Sequence, residues 1–241
     1  MRILIDAEPL LFKAAAAAEY EVQWLEDNWT YLCEHQEAKQ AFKADIEYIQ
    51  SNKAVSSIAT TLLLFSDRTN FRYGVDPTYK GNRKNKRKPA GYGELINWCK
   101  ETWPSQVLPN VEADDAIGIL YRTGDLISSK DKDLKTIPGI HLVEDQIEEI
   151  PEHIADLTFF MQVLTGDQAD GYPGCPGIGK VGAAKLLAEA GDELWPAVLK
   201  AFMKAGLTPA DALKQARLAR ILREQDYDLD AGKVRLWCPP I

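Results

Sequence analysis

Short apolar or β-branched runs at 3–5, 58–65 and 126–129 are separated by long stretches with helical periodicity. That alternation predicts an α/β fold with a mostly parallel central sheet wrapped by helices. Between the first two runs, Leu25, Trp29 and Leu32, and then Phe42, Ile46 and Ile49, recur at helical spacing and predict core-facing helices. Near the C-terminus, Thr208-Pro209-Ala210-Asp211 offers a capping hydroxyl, a proline at the first helical position and an acid at the third. A helix leading into Leu213, Leu218, Ile221 and Leu222 is predicted to follow. No internal repeat or low-complexity tract interrupts the pattern.

Acidic residues mark the ends of these elements. Asp6, Asp67 and Asp131 come almost directly after the three runs, Glu112, Asp114 and Asp115 open a helix-like stretch, and Asp133, Asp167 and Asp170 complete the set. In open α/β sheets ligands bind beyond the carboxyl ends of the strands, so these acids are predicted to meet in one crevice. Carboxylates crowded together cannot all stay ionised unless cations neutralise them, which points to hard divalent ions. Taken singly, each cluster has a plainer account: acids complement a helix N-terminus, and Asp131-Lys132-Asp133 suits a solvated turn.

Two further segments suggest a phosphate-bearing partner. Six of the nine residues from Lys80 to Lys88 are basic, with Tyr79 beside them and Pro89 after them. By itself such a run is a solvated charge tract; next to Asp67 and an aromatic residue it suits an arm that grips phosphates while Tyr79 stacks a base. From Gly171 to Leu187, glycines and prolines form a tight turn that opens a small-residue helix, with Lys180 and Lys185 beside it. Free backbone N–H groups and a helix N-terminus suit binding to a nucleic-acid backbone without sequence preference.

Composition narrows the class. At 241 residues with 46% hydrophobic and 27% charged, the chain can bury a full core. A net charge of -8 argues against coating nucleic acid by bulk electrostatics and leaves room for local basic patches. Cys33, Cys99, Cys175 and Cys238 form no CxxC pair, and His35, His141 and His153 have no zinc-ligand spacing, so reduced thiols and a cytoplasmic location are expected. The alanine run Ala14–Ala18, broken by Glu19, makes a poor membrane segment, so no membrane partner is expected.

These motifs resemble the 5′ nuclease superfamily of flap endonucleases and 5′-to-3′ exonucleases, most nearly the exonucleases of T-odd, short-tailed phages. The resemblance covers nearly the whole chain. Leu4-Ile5-Asp6 is similar to the first family motif; Phe65-Ser66-Asp67, Asn70-Phe71-Arg72 and Asp76 to Arg83 are similar to the second. Glu112-Ala113-Asp114-Asp115, Asp131-Lys132-Asp133-Leu134 and Gly166 to Asp170 complete the acidic set, and Gly174 to Leu187 resembles the helix-three-turn-helix. Lys214-Gln215, Ala219 to Arg223 and Leu236-Trp237 resemble the phage branch.

The resemblance implies a mostly parallel sheet with a helical arch at about 70–100 inside a nuclease core at 1–160. A duplex-binding helix-three-turn-helix at 161–205 and a C-terminal helix and strand at 206–241 would follow. It assigns metal binding to all nine acids, phosphate contact at the reacting centre to Lys80 and Arg83, and DNA contacts to Lys13, Tyr79, Lys84, Gly177, Gly179 and Lys180. Two Mg2+ or Mn2+ ions are implied, with K+ held near Cys175 to Gly179. The expected function is metal-dependent 5′-to-3′ hydrolysis of DNA near 5′ ends, flaps or gaps, with RNA–DNA hybrids as a further substrate, in phage-type replication or host DNA breakdown. The expected compartment is then the host cytoplasm. A non-cleaving DNA-binding accessory protein is the alternative, and loss of acidic ligands would be its signature; a small toxin-type ribonuclease would lack both the basic arm and the hairpin.

Overall fold

The computed structural model describes residues 1–241 except 54, 56–58, 84, 85, 240 and 241. Its centre is a six-stranded sheet of β1 (Arg2–Asp6), β4 (Thr60–Phe65), β5 (Ser105–Val107), β6 (Leu126–Ser128), β7 (Gly139–Val143) and β8 (Gln146–Ile150), in the order β5-β4-β1-β6-β7-β8. All neighbours are parallel except the β7–β8 edge hairpin. Ile3, Leu4 and Ile5 are fully buried, because helices cover both faces of the central strand. Arg2 holds its start in place, its backbone N–H and guanidinium both bonding Asp125 at the head of β6.

One face carries α1 (Ala7–Ala17), α2 (His35–Ser51) and α4 (Tyr92–Thr102), packed through Leu11, Phe42, Ile46 and Leu95. The other carries α5 (Ala113–Leu120) and the segment after α9 (Pro209–Ala219), packed through Val111, Ile117, Ile221 and Leu222. A third apolar cluster lies among α6 (Glu152–Thr165), α7 (Lys180–Ala190), α8 (Leu194–Lys204) and α9, closed by Trp237. Thr208 caps α9, its hydroxyl accepting the Asp211 N–H, with Pro209 opening the first turn as its sequence predicts. Ile221 and Leu222 lie beyond the helix end, in a stretch that leads to the short pair β9 (Tyr227–Asp228) and β10 (Lys233–Val234).

The structure corrects one element. Leu25, Trp29 and Leu32 are on a two-stranded hairpin, β2 (Glu19–Leu25) with β3 (Asn28–Cys33), rather than on a core-facing helix. They are exposed by 70%, 53% and 36%. Leu25 pairs with Asn28 across a two-residue turn in which Asp27 takes φ 64, a left-handed conformation that aspartate tolerates. Within the expected arch, the described residues form α3 (Arg72–Val75), a 3-10 turn at Gly81–Arg83 and the start of α4.

Candidate metal centre and nucleic-acid interface

The C-terminal ends of β1, β4 and β6 and the N-terminus of α5 lie on one edge of the sheet. Asp6 ends β1 and caps α1, accepting the Glu8 N–H at 3.0 Å. Burial, then the nearby charges of Glu8, Asp131 and Glu112, push its pKa up to about 7. Glu8, absent from the expected set, reaches Ser66 on the exit of β4 through both carboxylate oxygens. Its signal was an acid two residues after Asp6 on the first turn of a helix.

Glu112, Asp114 and Asp115 bring ligand atoms within 4.8 Å of one another. Burial and its two acidic neighbours raise the Asp114 pKa well above normal. Burial also acts to raise Glu112, but Arg72 and Lys80 outweigh it and the net shift is downward. Lys80 donates to Glu112 Oε1 at 2.6 Å and lies 3.6 Å from Asp170, while the buried Tyr79 hydroxyl bonds both Glu112 and Asp170.

On the far side, Asp131 caps the 3-10 turn Lys132–Thr136 and accepts the Asp133 N–H. Asp133 is half-buried; burial and then Asp131, Asp167 and Asp170 push its pKa up to about 6. Asp167 and Asp170 sit on a loop closed where the backbones of Gly166 and Gly174 cross, both at positive φ and too close for a Cβ on either. Only glycine fits there. Gln215 of α9 accepts the Gly174 N–H and ties this loop to the helical cluster. These acids are linked pairwise: the charges of Asp131 and Glu112 act on Asp6, Tyr79 joins Glu112 to Asp170, and the charges of Asp131, Asp167 and Asp170 act on Asp133.

Two of the nine expected ligands also carry structural contacts. Asp67 accepts the Asn110 N–H, the Thr69 hydroxyl and the Arg68 N–H, and these contacts, in that order, hold its pKa down. Side chains alternate along the strand exit, so Ser66 faces Glu8 while Asp67 closes the neighbouring loop. Asp115 is fully buried, both oxygens held by Arg72 at 2.6 and 2.8 Å and further bonded by the Leu222 and Glu112 N–H groups. Its acceptor capacity is filled.

Other expected contacts divide in the same way. Tyr79 is only 2% exposed, which corrects the expectation that its ring stacks a frayed base. Lys13, the basic residue expected to contact DNA, is largely exposed and pairs with Asp45 of α2 at 2.6 Å. Arg83 bonds Asp170 and the Ala169 carbonyl, and the Lys80 N–H bonds the Asp170 carbonyl, so the start of the basic segment lies against the acidic loop. Its far end is held by the hairpin: Arg87 grips Glu19 with both nitrogens at 2.6 Å and stacks 3.9 Å over Tyr31. Lys84 lies outside the described residues. Gly177 (φ 77), Gly179 and Lys180 are exposed at the turn that opens α7.

A mostly parallel sheet with carboxylates at its C-terminal edge, beside a basic segment and an exposed glycine-rich turn that opens α7, has the layout of a 5′ nuclease. The exonuclease of Escherichia phage T7 is 30% identical across 98% of this chain and 93% of its own length, and the exodeoxyribonuclease of Enterobacteria phage T3 is 29% identical across 98% and 92%. The chain belongs to this phage exonuclease family within the 5′ nuclease superfamily. No family model matches it. Its fold is that of the T5 D15 protein co-crystallised with metal ions, with a TM-score of 0.61 at 16% identity over 92% of this chain and 90% of that one.

Proposed function

We propose that the protein is a divalent-metal-dependent 5′-to-3′ exonuclease that hydrolyses DNA phosphodiesters near 5′ ends and flaps without sequence preference. The observation that carries the proposal is the close Glu112, Asp114 and Asp115 group at the start of α5, tied through Lys80 and Tyr79 to Asp170, which Arg83 also holds. The donor set fits hard cations: all are carboxylate oxygens, and burial, reinforced by the charge of neighbouring acids, pushes Asp6, Asp114 and Asp133 toward protonation. Glu112, Asp114 and Asp6 are the proposed ligands of one ion, and Asp131, Asp133, Asp167 and Asp170 those of a second, directly or through water. When bound, Mg2+ or Mn2+ supplies Lewis-acid polarisation of the phosphate and acidifies water at neutral pH.

The chain's own residues do the rest. Lys80 and Arg83, paired with carboxylates here, exchange those partners for the phosphate and offset charge as it develops in the transition state. Tyr79 fixes Glu112 and Asp170 relative to each other from behind. Gly177, Gly179 and Lys180 present backbone N–H groups and an ammonium to the duplex, with K+ near Cys175 to Gly179 as the proposed bridge to its phosphates. Asp67 and Asp115, each held by several donors, shape the crevice around the first ion. The DNA-bound, metal-containing structure of the T5 D15 flap endonuclease shares this fold, with a TM-score of 0.61 at 17% identity, which adds flaps to the substrate class.

Among the described residues no helix is long and apolar enough to cross a membrane, and the proposed setting is the host cytoplasm. The test is incubation of 5′-labelled duplex, flap and RNA–DNA hybrid substrates with Mg2+ and with EDTA. Release of nucleotides or short fragments only with Mg2+ is expected; binding without cleavage would favour the accessory-protein alternative.

A further inference from the structure

We infer that Arg72 is a positioning residue, whose buried guanidinium ties the acidic start of α5 to the C-terminal segment Leu218–Leu222. Metal-site geometry thereby depends on a stretch of chain that contributes no ligand. The inference rests on the nuclease reading above.

Arg72 is 2% exposed and offers five N–H donors. Nε bonds the Leu218 carbonyl at 2.9 Å. Nη1 bonds Asp115 at 2.6 Å and reaches Glu112 Oε2 at 3.4 Å, and Nη2 bonds Asp115 at 2.8 Å and the Arg220 carbonyl at 2.6 Å. Every donor is used, divided between the acidic turn and the segment that leaves α9. The segment answers in kind, because the Leu222 N–H bonds Asp115 at 3.0 Å. Gly118 of α5 permits this approach: a Cβ there would collide with the Leu222 carbonyl.

Glu112 is thus fixed at both ends. Its backbone N–H bonds Asp115, which Arg72 holds, and its carboxylate touches Arg72 directly. Glu112 is also the group that meets Lys80 and Tyr79, so a shift at Arg72 moves the ligand that faces the basic arm. Lysine could keep the charge but not the planar fork that reaches four acceptor groups at once.

The test uses the full chain as wild type, as Arg72→Lys, and as Arg72→Met with Asp115→Leu. The double change removes both buried charges together and leaves neither uncompensated, which is the form of substitution that such pairs tolerate best. Mn2+ affinity is measured by calorimetry without DNA, and turnover of a labelled duplex is followed with Mg2+ well below each Tm. Both variants are expected to fold, to bind Mn2+ about tenfold more weakly, as loss of a ligand-orienting partner does, and to lose about a hundredfold in kcat, as misplacement of a reacting geometry does. KM should stay near the wild-type value, and excess Mg2+ should partly restore Arg72→Lys. A folded variant with wild-type Mn2+ affinity and turnover overturns the inference, as does a lowered Tm with both unchanged. Failure of both variants to fold also overturns it, since the hub would then be a folding requirement only. A wild-type chain that neither binds Mn2+ nor cleaves removes the nuclease reading, and this inference with it, before any variant is compared.

Discussion

Asp6 and Asp133 hold protons more tightly in the folded chain than the ordinary aspartate value of 3.8 allows, at about 7 and about 6. Raised carboxylates favour the fold at low pH, and that contribution is lost as pH climbs from about 4 through about 7. Asp76 works the other way. Thr78 and then Lys214 hold it at about 2, so its contribution disappears only as pH falls below 3.8. The metal-free protein should therefore melt highest at mildly acidic pH and lose Tm toward neutrality, while saturating Mg2+ should remove that loss by binding the ionised form. Calorimetric melts in EDTA and in Mg2+ across this range decide it; an EDTA curve that rises to neutral pH would mean the acids are not crowded. The placement of Asp6, Glu112 and Asp131 was legible because each lies at a strand exit or helix start. The partners of Asp67 and Asp115 were not legible, since one position along a strand or helix redirects a side chain, and only the fold reveals that Ser66 meets Glu8 while Asp115 meets Arg72.

At the scale of elements, the sheet and α9 followed their patterns, because Ile3–Ile5 and the Thr208 cap specify local structure without help from distant residues. The β2–β3 hairpin did not. Leu25, Trp29 and Leu32 fit a helical period, but Tyr20, Val22 and Thr30 fit strand alternation equally well, and the deciding signal was the turn residue Asp27. This hairpin anchors the far end of the basic segment through Glu19, which also accepts the Ala90 N–H at 2.6 Å. Glu19→Gln should loosen that end without disturbing the core, because the pair is at the surface. Limited trypsin digestion followed by mass spectrometry should then show several-fold faster cleavage after Lys86, Arg87 or Lys88, with Tm unchanged. Equal digestion rates would mean the hairpin does not restrain the arm.

For the whole molecule, a net charge of -8 has to coexist with a polyanionic substrate. General attraction is unavailable, so affinity must come from patches where backbone donors and a few lysines face the strand. The turn ahead of α7 is the best placed of these: Lys180 is exposed at the helix start, and Lys185 has only a long 3.9 Å contact with Glu189 on the same helix. Each phosphate neutralised by a cation releases counterions and adds roughly 0.9 to the slope of log affinity against log salt. Replacing Lys180 and Lys185 by alanine should weaken duplex binding at low salt and reduce that slope by roughly 1 to 2, with no change in base preference because backbone contacts carry no sequence information. Binding should be measured by fluorescence anisotropy in Ca2+, which occupies carboxylate sites while slowing hydrolysis. The acidic residues then repel the strand less, and the difference in slope between wild type and variant reports the two lysines. An unaltered slope would place the duplex grip elsewhere, leaving the arm from Lys80 to Lys88 as the principal phosphate contact.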